Sequence, residues 1–403
     1  TGGTGDLGSV VVALLLVALL LMTLPLPAQV IGNDASCDIS VAPAATLMLP
    51  YFQTDEGTTT IVTITNVSAA PQIAAVTLWS QEGAPVLRFD LQLTGYDVQS
   101  VDLRTVLTTG VTASPEARRG ARSLQYNQNQ LTNAAARCGG GILPPAIREA
   151  AVARLGGGVG WATIDVVAAC RDTFATEAAY YDDLLYDNAL IGDWQLVENN
   201  GETDVAGTSL VHIRAVPEGG PSGTFLPRPQ TFYGRLTAAA GLPRGVDRRQ
   251  PLPAVFAMNW RDAPSVGNLG RSSFLIWREP PLTVMDNNES FQFHRYQQAA
   301  TFDDRENPFV ACEVNCGGFQ VPIVPPRIFS GERIRISDDR LAPVTSGSFE
   351  GWLYLDLNRL SEASQAWVVV LQQAGRRSVL FDAVSLGNGC SPLRDKSEPF
   401  GPL

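Results

Sequence analysis

Lysine is all but missing: Lys396 alone stands among 29 basic residues, against 40 acidic ones, for a net charge of −11. A protein that gains affinity by neutralising phosphates needs the opposite balance, so nucleic acid is not an expected partner. Histidine is scarce as well, limited to His212 and His294. There is no Gly-x-Ser-x-Gly, no His-Glu-x-x-His, no P-loop and no Cys-x-x-Cys. The motif-borne routes to acyl transfer, zinc proteolysis, phosphate binding and dithiol redox chemistry are therefore missing. What the chain has is bulk. Its 403 residues are 45% hydrophobic and 17% charged, the composition of a packed globule and the length of two ordinary domains.

Val10 to Met22 is an unbroken apolar run, followed by Pro25, Pro27 and small or polar residues. This is the hydrophobic and cleavage region of a secretory signal peptide, too short for the roughly 20 residues of a membrane span. Thr1 to Ser9 lacks both Met and basic residues, so the positive region is expected to precede it. Cleavage is expected after Ala28, which leaves no membrane span; an uncleaved anchor is the rival reading. The expected location is secreted, periplasmic or cell-surface. Six cysteines fit an oxidising compartment. Cys312 and Cys316, three residues apart in a Gly/Asn-containing loop, are close enough to bridge. Cys138 with Cys170, and Cys37 with Cys390, are the favoured remaining pairs. Zinc is the competing use of these thiols, but no second Cys-x3-Cys pair accompanies the first.

The strand signals are direct. Thr58 to Thr65 is β-branched throughout and suits a pleated surface. Ile73 to Trp79 follows a turn, and Leu87, Phe89, Leu91 and Leu93 then alternate with Arg88, Asp90 and Gln92. Val98 to Leu103 is expected to continue as a strand, with Asp102 and Arg104 opposite Val101 and Leu103. Short turns between these runs predict an antiparallel β-sandwich. Strand character returns at 159–167, 194–197 and 209–215, and later at 272–277, 333–336, 351–357, 366–371 and 378–384. The last two form an expected hairpin across Gln373 to Arg376. Pro145 to Leu155 reads as a short helix, with proline in its first turn and Gly156 to Gly158 as its stop. Tyr180 to Asp187 reads as a surface loop or helical turn.

The fold class is therefore mainly β, with sandwich domains and a loop-rich, partly helical insertion. The expected organisation is a signal peptide (1–28), an N-terminal sandwich (36–215) with an insertion at about 109–158, a Pro/Gly-rich connection (216–253), a C-terminal β-rich domain (254–390) and a tail (391–403). The final hairpin could instead complete the N-terminal sheet, the arrangement on which the Cys37 with Cys390 pairing depends. No internal repeat emerges, although strand-turn-strand texture recurs in both halves.

Candidate chemistry is thin. Gly156 to Gly160 leads from a helix into a strand, the reverse of a phosphate-binding glycine loop. His212, between Val211 and Ile213, reads as a structural histidine, and His294 lies among aromatics. Asp182/Asp183/Asp187, Asp286-Asn287-Asn288-Glu289 and Asp303/Asp304/Glu306 are oxygen-rich clusters of the kind calcium accepts, without the spacing of an EF-hand. No other cofactor is expected. Asn66-Val67-Ser68 and Asn288-Glu289-Ser290 are glycosylation sequons. Trp79, Trp277, Trp352 and Trp367 sit in strand patterns that favour core packing over sugar stacking. The arginine groups Arg118/Arg119/Arg122 and Arg244/Arg248/Arg249 lie in Gly/Pro-rich stretches and read as solvated loops.

Leu49-Pro50-Tyr51-Phe52, Val76-Thr77-Leu78-Trp79 and above all Leu93-Thr94-Gly95-Tyr96-Asp97-Val98-Gln99 resemble a group of exported bacterial β-sandwich proteins of this LTGYDVQ type, with no known activity. Thr231-Phe232-Tyr233-Gly234-Arg235, Leu275-Ile276-Trp277-Arg278 and Gly351-Trp352-Leu353-Tyr354-Leu355 extend the resemblance over most of the mature chain. It implies export and a β fold and brings no catalytic residue. The expected function is a noncatalytic structural, adhesive or ligand-presenting role toward a protein or glycan at the cell surface. The alternative is a secreted carbohydrate-active enzyme or carbohydrate-binding module. Assembly into a filament or surface layer, through exposed edge strands, is a third option. A cleft lined by two carboxylates and exposed tryptophans would favour the enzyme; buried tryptophans would favour the first reading.

Overall fold

The computed structural model describes residues 42–112, 142–199, 203–216, 231–243, 245–263, 270–280, 296, 298–312, 327–338, 341, 349–359, 364–375 and 377–386, with backbone only for 309–312. The protein is mainly β, and its strands pair antiparallel in three sheets. The first half contributes β1 (Thr46–Gln53), β2 (Thr58–Asn66), β3 (Gln72–Trp79), β4 (Pro85–Leu93), β5 (Val98–Asp102), β6 (Val159–Val167), β7 (Leu190–Asn199), β8 (Thr203–Ser209) and β9 (Val211–Ile213). These alternate between two layers, β4-β3-β6-β1-β9 and β5-β2-β7-β8. β1 faces β2 and β7 across the core, which makes a sandwich. In β2 the side chains of Thr58, Thr60, Val62, Ile64 and Asn66 point inward and the intervening ones are less buried, the period-2 pattern expected of a sheet covered on one face.

The second half contributes β10 (Val255–Ala263), β11 (Gly270–Arg278), β12 (Gln298–Asp303), β13 (Pro308–Cys312), β14 (Glu332–Arg335), β15 (Glu350–Asp356), β16 (Ala366–Ala374), β17 (Arg377–Asp382) and β18 (Val384–Ser385). They form one sheet, but β10 and β11 are joined only at Asp262↔Arg271 and Ala263↔Gly270. Divided at that corner, the layers are β13-β12-β15-β10-β18 and β14-β11-β16-β17. This is the pairing order of the first half with nine added to every strand number. The chain is thus two modules of one topology, a repeat that the residue pattern did not disclose. The final hairpin, β16 with β17, turns at Gly375 and pairs onto β11, so it completes the second module and not the N-terminal sheet.

Local chemistry sets the breaks. The strand expected to run through Leu103 stops at Asp102, whose carboxylate accepts the N–H groups of Arg104 and Thr105 and starts helix α1 (Leu103–Thr109). Helix α2 spans Pro145–Leu155 as expected and ends at Gly156 in the left-handed region. Helix α3 (Gly234–Ala239) lies in the connection between modules. The bulk of the insertion, 113–141, lies outside the described residues, as does the signal segment. Each of the three expected cystine pairings includes a residue outside those described, and among the described residues no cysteine is free.

β1, β3, β4 and β6 are buried along almost their whole length, because the sheet they form is covered on both faces. One face meets β2 and β7. The other carries Thr46 and Asp165, over which lie the loop around Tyr180 and the connection residues Tyr233 and Arg249. Two expectations change here. Of the two readings of 180–187 the helical turn stands, since Ala178–Tyr180 forms a 3-10 turn, but Tyr180 and Tyr181 are buried and not on the surface. Arg249 is fully buried rather than solvated, paired with Asp165 at 3.5 Å and Asp247 at 3.3 Å. Removing one partner of a buried ion pair leaves an uncompensated charge. Asp165→Ala is therefore expected to cost about 3–5 kcal/mol, read as a fall in the urea midpoint. A loss no greater than that of the exposed control Asp193→Ala would refute this role.

Candidate functional site

Two polar constellations stand out. The first is enclosed. Asp165, on β6, the central strand of its sheet, accepts hydrogen bonds from Thr46 (2.5 Å), Tyr180 (2.5 Å) and Tyr233 (2.7 Å). Asp247 accepts the backbone N–H of Tyr233 at 2.8 Å and of Arg249 at 3.2 Å. Burial pushes the phenols of Tyr180 and Tyr233 well above their ordinary value, and the neighbouring Asp165 charge adds to it. The phenols therefore remain hydrogen-bond donors. The side chains of Asp165 and Arg249 are 0% exposed, so no substrate reaches this cluster; its role is to hold the connection against the sheet.

The second is open. Between the modules, the ends of β1, β7 and β8 face β14 and the β16–β17 turn around a cleft of 1470 Å³, above the roughly 300–1,000 Å³ of small-molecule pockets. Its floor is a cross-module clasp. Arg333 donates to Glu198 (2.7 Å) and to Gln373 (2.7 Å), while Gln373 donates to the other Glu198 oxygen at 2.8 Å. Ser378 donates to Asp204 across the same boundary. On the rim, burial would raise the Asp55 carboxyl, but hydrogen bonds from Gln53, Thr58 and the Gly57 N–H together hold it below its ordinary value. Tyr51 donates to Gln53 at 2.6 Å, and burial drives its phenol upward. Planar amide, carboxylate and guanidinium groups are thus fixed in a hydrogen-bonded array suited to a hydrophilic ligand.

Three carboxylates of this cleft, Asp55, Glu198 and Asp204, accept hydrogen bonds. The tryptophans do not line it. Trp79, Trp161, Trp194, Trp260, Trp277 and Trp367 are buried, and Trp352 is half-buried. Of the expected sites, Asp183 is buried beside Arg171 (2.7 Å), and Asp303 accepts the N–H groups of Arg305 and Asn307, which makes it a turn cap. Among the described residues no group of three or more His, Cys, Asp or Glu is placed to hold a metal ion. Asp286–Glu289 and His294 lie outside the described residues. Asn66 is buried and its amide donates to Ala70 and Thr94 carbonyls, so that sequon is a loop brace. No residue of the cleft belongs to a catalytic motif; the sequence signals that fall on it are Tyr51 of the Leu49–Phe52 segment, the turn chemistry of Asp55 to Gly57 and the hairpin turn at Gln373 to Gly375.

No protein-family model matches the chain, and no curated protein does. A crystal structure of the Thermotoga maritima protein 1070 aligns with 44% of this chain and 97% of its own length, at 7% identity and a TM-score of 0.21, too low to carry an argument. Among the described residues, no helix is long and apolar enough to cross a membrane.

His212, on edge strand β9, is buried, and its Nε2 accepts the Gly192 N–H at 3.2 Å. Burial holds its pKa below the ordinary 6.5, outweighing the opposite pull of a backbone hydrogen bond with Leu210. The unfolded chain therefore takes up this proton first, and stability is lost as pH falls from about 6.5 toward the folded-state pKa. His212→Gln is expected to flatten the stability profile between pH 7 and 5 in urea titrations. An unchanged profile would count against the assignment.

Proposed function

We propose that this chain is an exported, noncatalytic protein, secreted or held at the cell surface, that presents the cleft between its two modules to a hydrophilic ligand or partner. The observation that carries this reading is the clasp of Glu198, Arg333 and Gln373, which fixes polar groups drawn from both modules and engages both oxygens of the Glu198 carboxylate. Burial of the tryptophans supports it, since sugar-stacking faces are not offered to the cleft. Export and disulfide stabilisation rest on the apolar run Val10 to Met22 and the six cysteines, and membership of the exported LTGYDVQ-type group on Leu93 to Gln99.

The test pairs chemistry with binding. Purified protein incubated with xylan, carboxymethylcellulose and soluble chitin derivatives is expected to release no reducing ends. Labelled protein is expected to be retained by the cells that produce it, and Arg335→Glu, an exposed change in the cleft wall, is expected to reduce that retention several-fold without shifting thermal unfolding. Sugar release that disappears in Glu198→Gln would replace this reading with the carbohydrate-active one.

A further inference from the structure

The repeated topology gives each strand of one module a counterpart in the other, and matching turns extend this to single residues. Trp79 pairs with Trp161 on neighbouring strands, and Phe302 with Trp352; both couples stack, at 4.8 Å and 4.2 Å. After the first partner of each couple comes a five-residue turn to a proline, Ser80 to Ala84 before Pro85 and Asp303 to Asn307 before Pro308. The internal bonds of the turns agree: Gly83 N–H to Ser80 O and Ser80 N–H to Ala84 O, against Glu306 N–H to Asp303 O and Asp303 N–H to Asn307 O. Gly83 (φ 81°) and Glu306 (φ 65°) are thus equivalent. A second turn, before β5 and β14, agrees likewise. Thr94 N–H donates to the Asp97 carboxylate and Phe329 N–H to that of Glu332, so Tyr96 (φ 59°) corresponds to Gly331 (φ 61°).

Both glycines lie at the junction. A Cβ on Gly83 would sit 2.0 Å from the Cβ of Pro280, and one on Gly331 would sit 2.7 Å from the Gly160 carbonyl oxygen. Gln81 donates to Gly331 O at 3.1 Å, and the Trp277 ring meets Trp161 edge-on at 5.6 Å. The contact joins the first kind of turn on module one to the second kind on module two. It is head-to-tail, and such a contact between like modules extends indefinitely unless something stops it. At the outer ends the equivalent positions hold Glu306, exposed, and Tyr96, 72% exposed. Among the described residues these are the two non-glycine residues with positive φ, a conformation that side chains adopt at a cost.

We propose that Glu306 and Tyr96 close the two outer ends to a second copy of the chain, so that the junction forms once, within the molecule. In sedimentation velocity the full chain is expected to remain monomeric as concentration rises. Tyr96→Gly combined with Glu306→Gly is expected to add heavier species at concentrations where the parent shows none. Placing the end residues at the junction, by Gly83→Glu or Gly331→Tyr, is expected to separate the modules, with a larger radius of gyration in X-ray scattering and an unchanged far-ultraviolet spectrum. Gly156→Glu is the control, since it shares the left-handed region but has no atom within 4 Å of the added Cβ. The proposal is overturned if the parent associates through residues 96 and 306, if the double glycine variant stays monomeric, or if Gly83→Glu is as compact as Gly156→Glu.

Discussion

The contact between Asp165 and Arg249 is the constraint around which the first module and its junction are arranged. A carboxylate on the central strand of a sheet covered on both faces needs a cation and several donors, because the desolvation cost of an isolated charge is several kcal/mol. Thr46 from the neighbouring strand, Tyr180 from the loop after β6, and Tyr233 and Arg249 from the connection supply them. Satisfying that charge fixes the path of residues 231–250. From Tyr233 an aromatic series continues through Phe232 to Trp277, Trp161 and Trp79, each contact worth about 0.5–1.5 kcal/mol beyond area burial. One apolar core therefore runs through both modules, and the cleft lies beside it with little freedom to change shape.

The second module meets the same problem differently. Its counterpart of Asp165 is Asp356, four residues after Trp352 as Asp165 is four after Trp161. Asp356 accepts the backbone and side-chain N–H groups of Asn358 at 3.0 and 2.9 Å. Nearby Arg278 is fully buried and donates to the Leu357 carbonyl at 2.8 Å; burial lowers its pKa to about 10, although the surrounding acidic groups, Asp356 among them, pull the other way. The strand pairing is common to both modules, and what lies over it is not. The modules differ in their coverings, which loops and connections supply.

The legible parts of the fold were those where local and global signals agree. Thr58 to Thr65 is β-branched throughout, and the helix at Pro145–Leu155 carries its own start and stop. β8 carries no strand signal of its own, since Thr-Asp-Val-Ala-Gly-Thr-Ser has the composition of a turn; it is a strand because β7 offers it a full register. Arg249 reads as solvated from its Gly/Pro/Arg surroundings, because the buried carboxylate that draws it inward lies elsewhere in the chain. The repeat is not legible in the residues, because little beyond Gly-Trp-x-x-x-Asp, at 160–165 and 351–356, is common to both modules. Gly160 and Gly351 persist because an added Cβ would meet the carbonyl of Trp79 or Phe302 within 2.2 Å and 1.9 Å. The cleft was beyond reach for another reason: Asp55, Glu198, Arg333 and Gln373 are far apart in the chain and are brought together by module docking alone.

The dependence of β6 on the connection decides where the polypeptide can be divided. A fragment ending at Val216 would keep every strand of the first module and the Tyr180 loop yet strip Tyr233 and Arg249 from Asp165, whereas one ending at Pro253 would carry its own counter-ion. The natural seam between the halves thus falls after the arginine and not in the glycine-rich stretch that precedes it, so a gene fusion or exchange made at the earlier point would separate a carboxylate from the group that neutralises it.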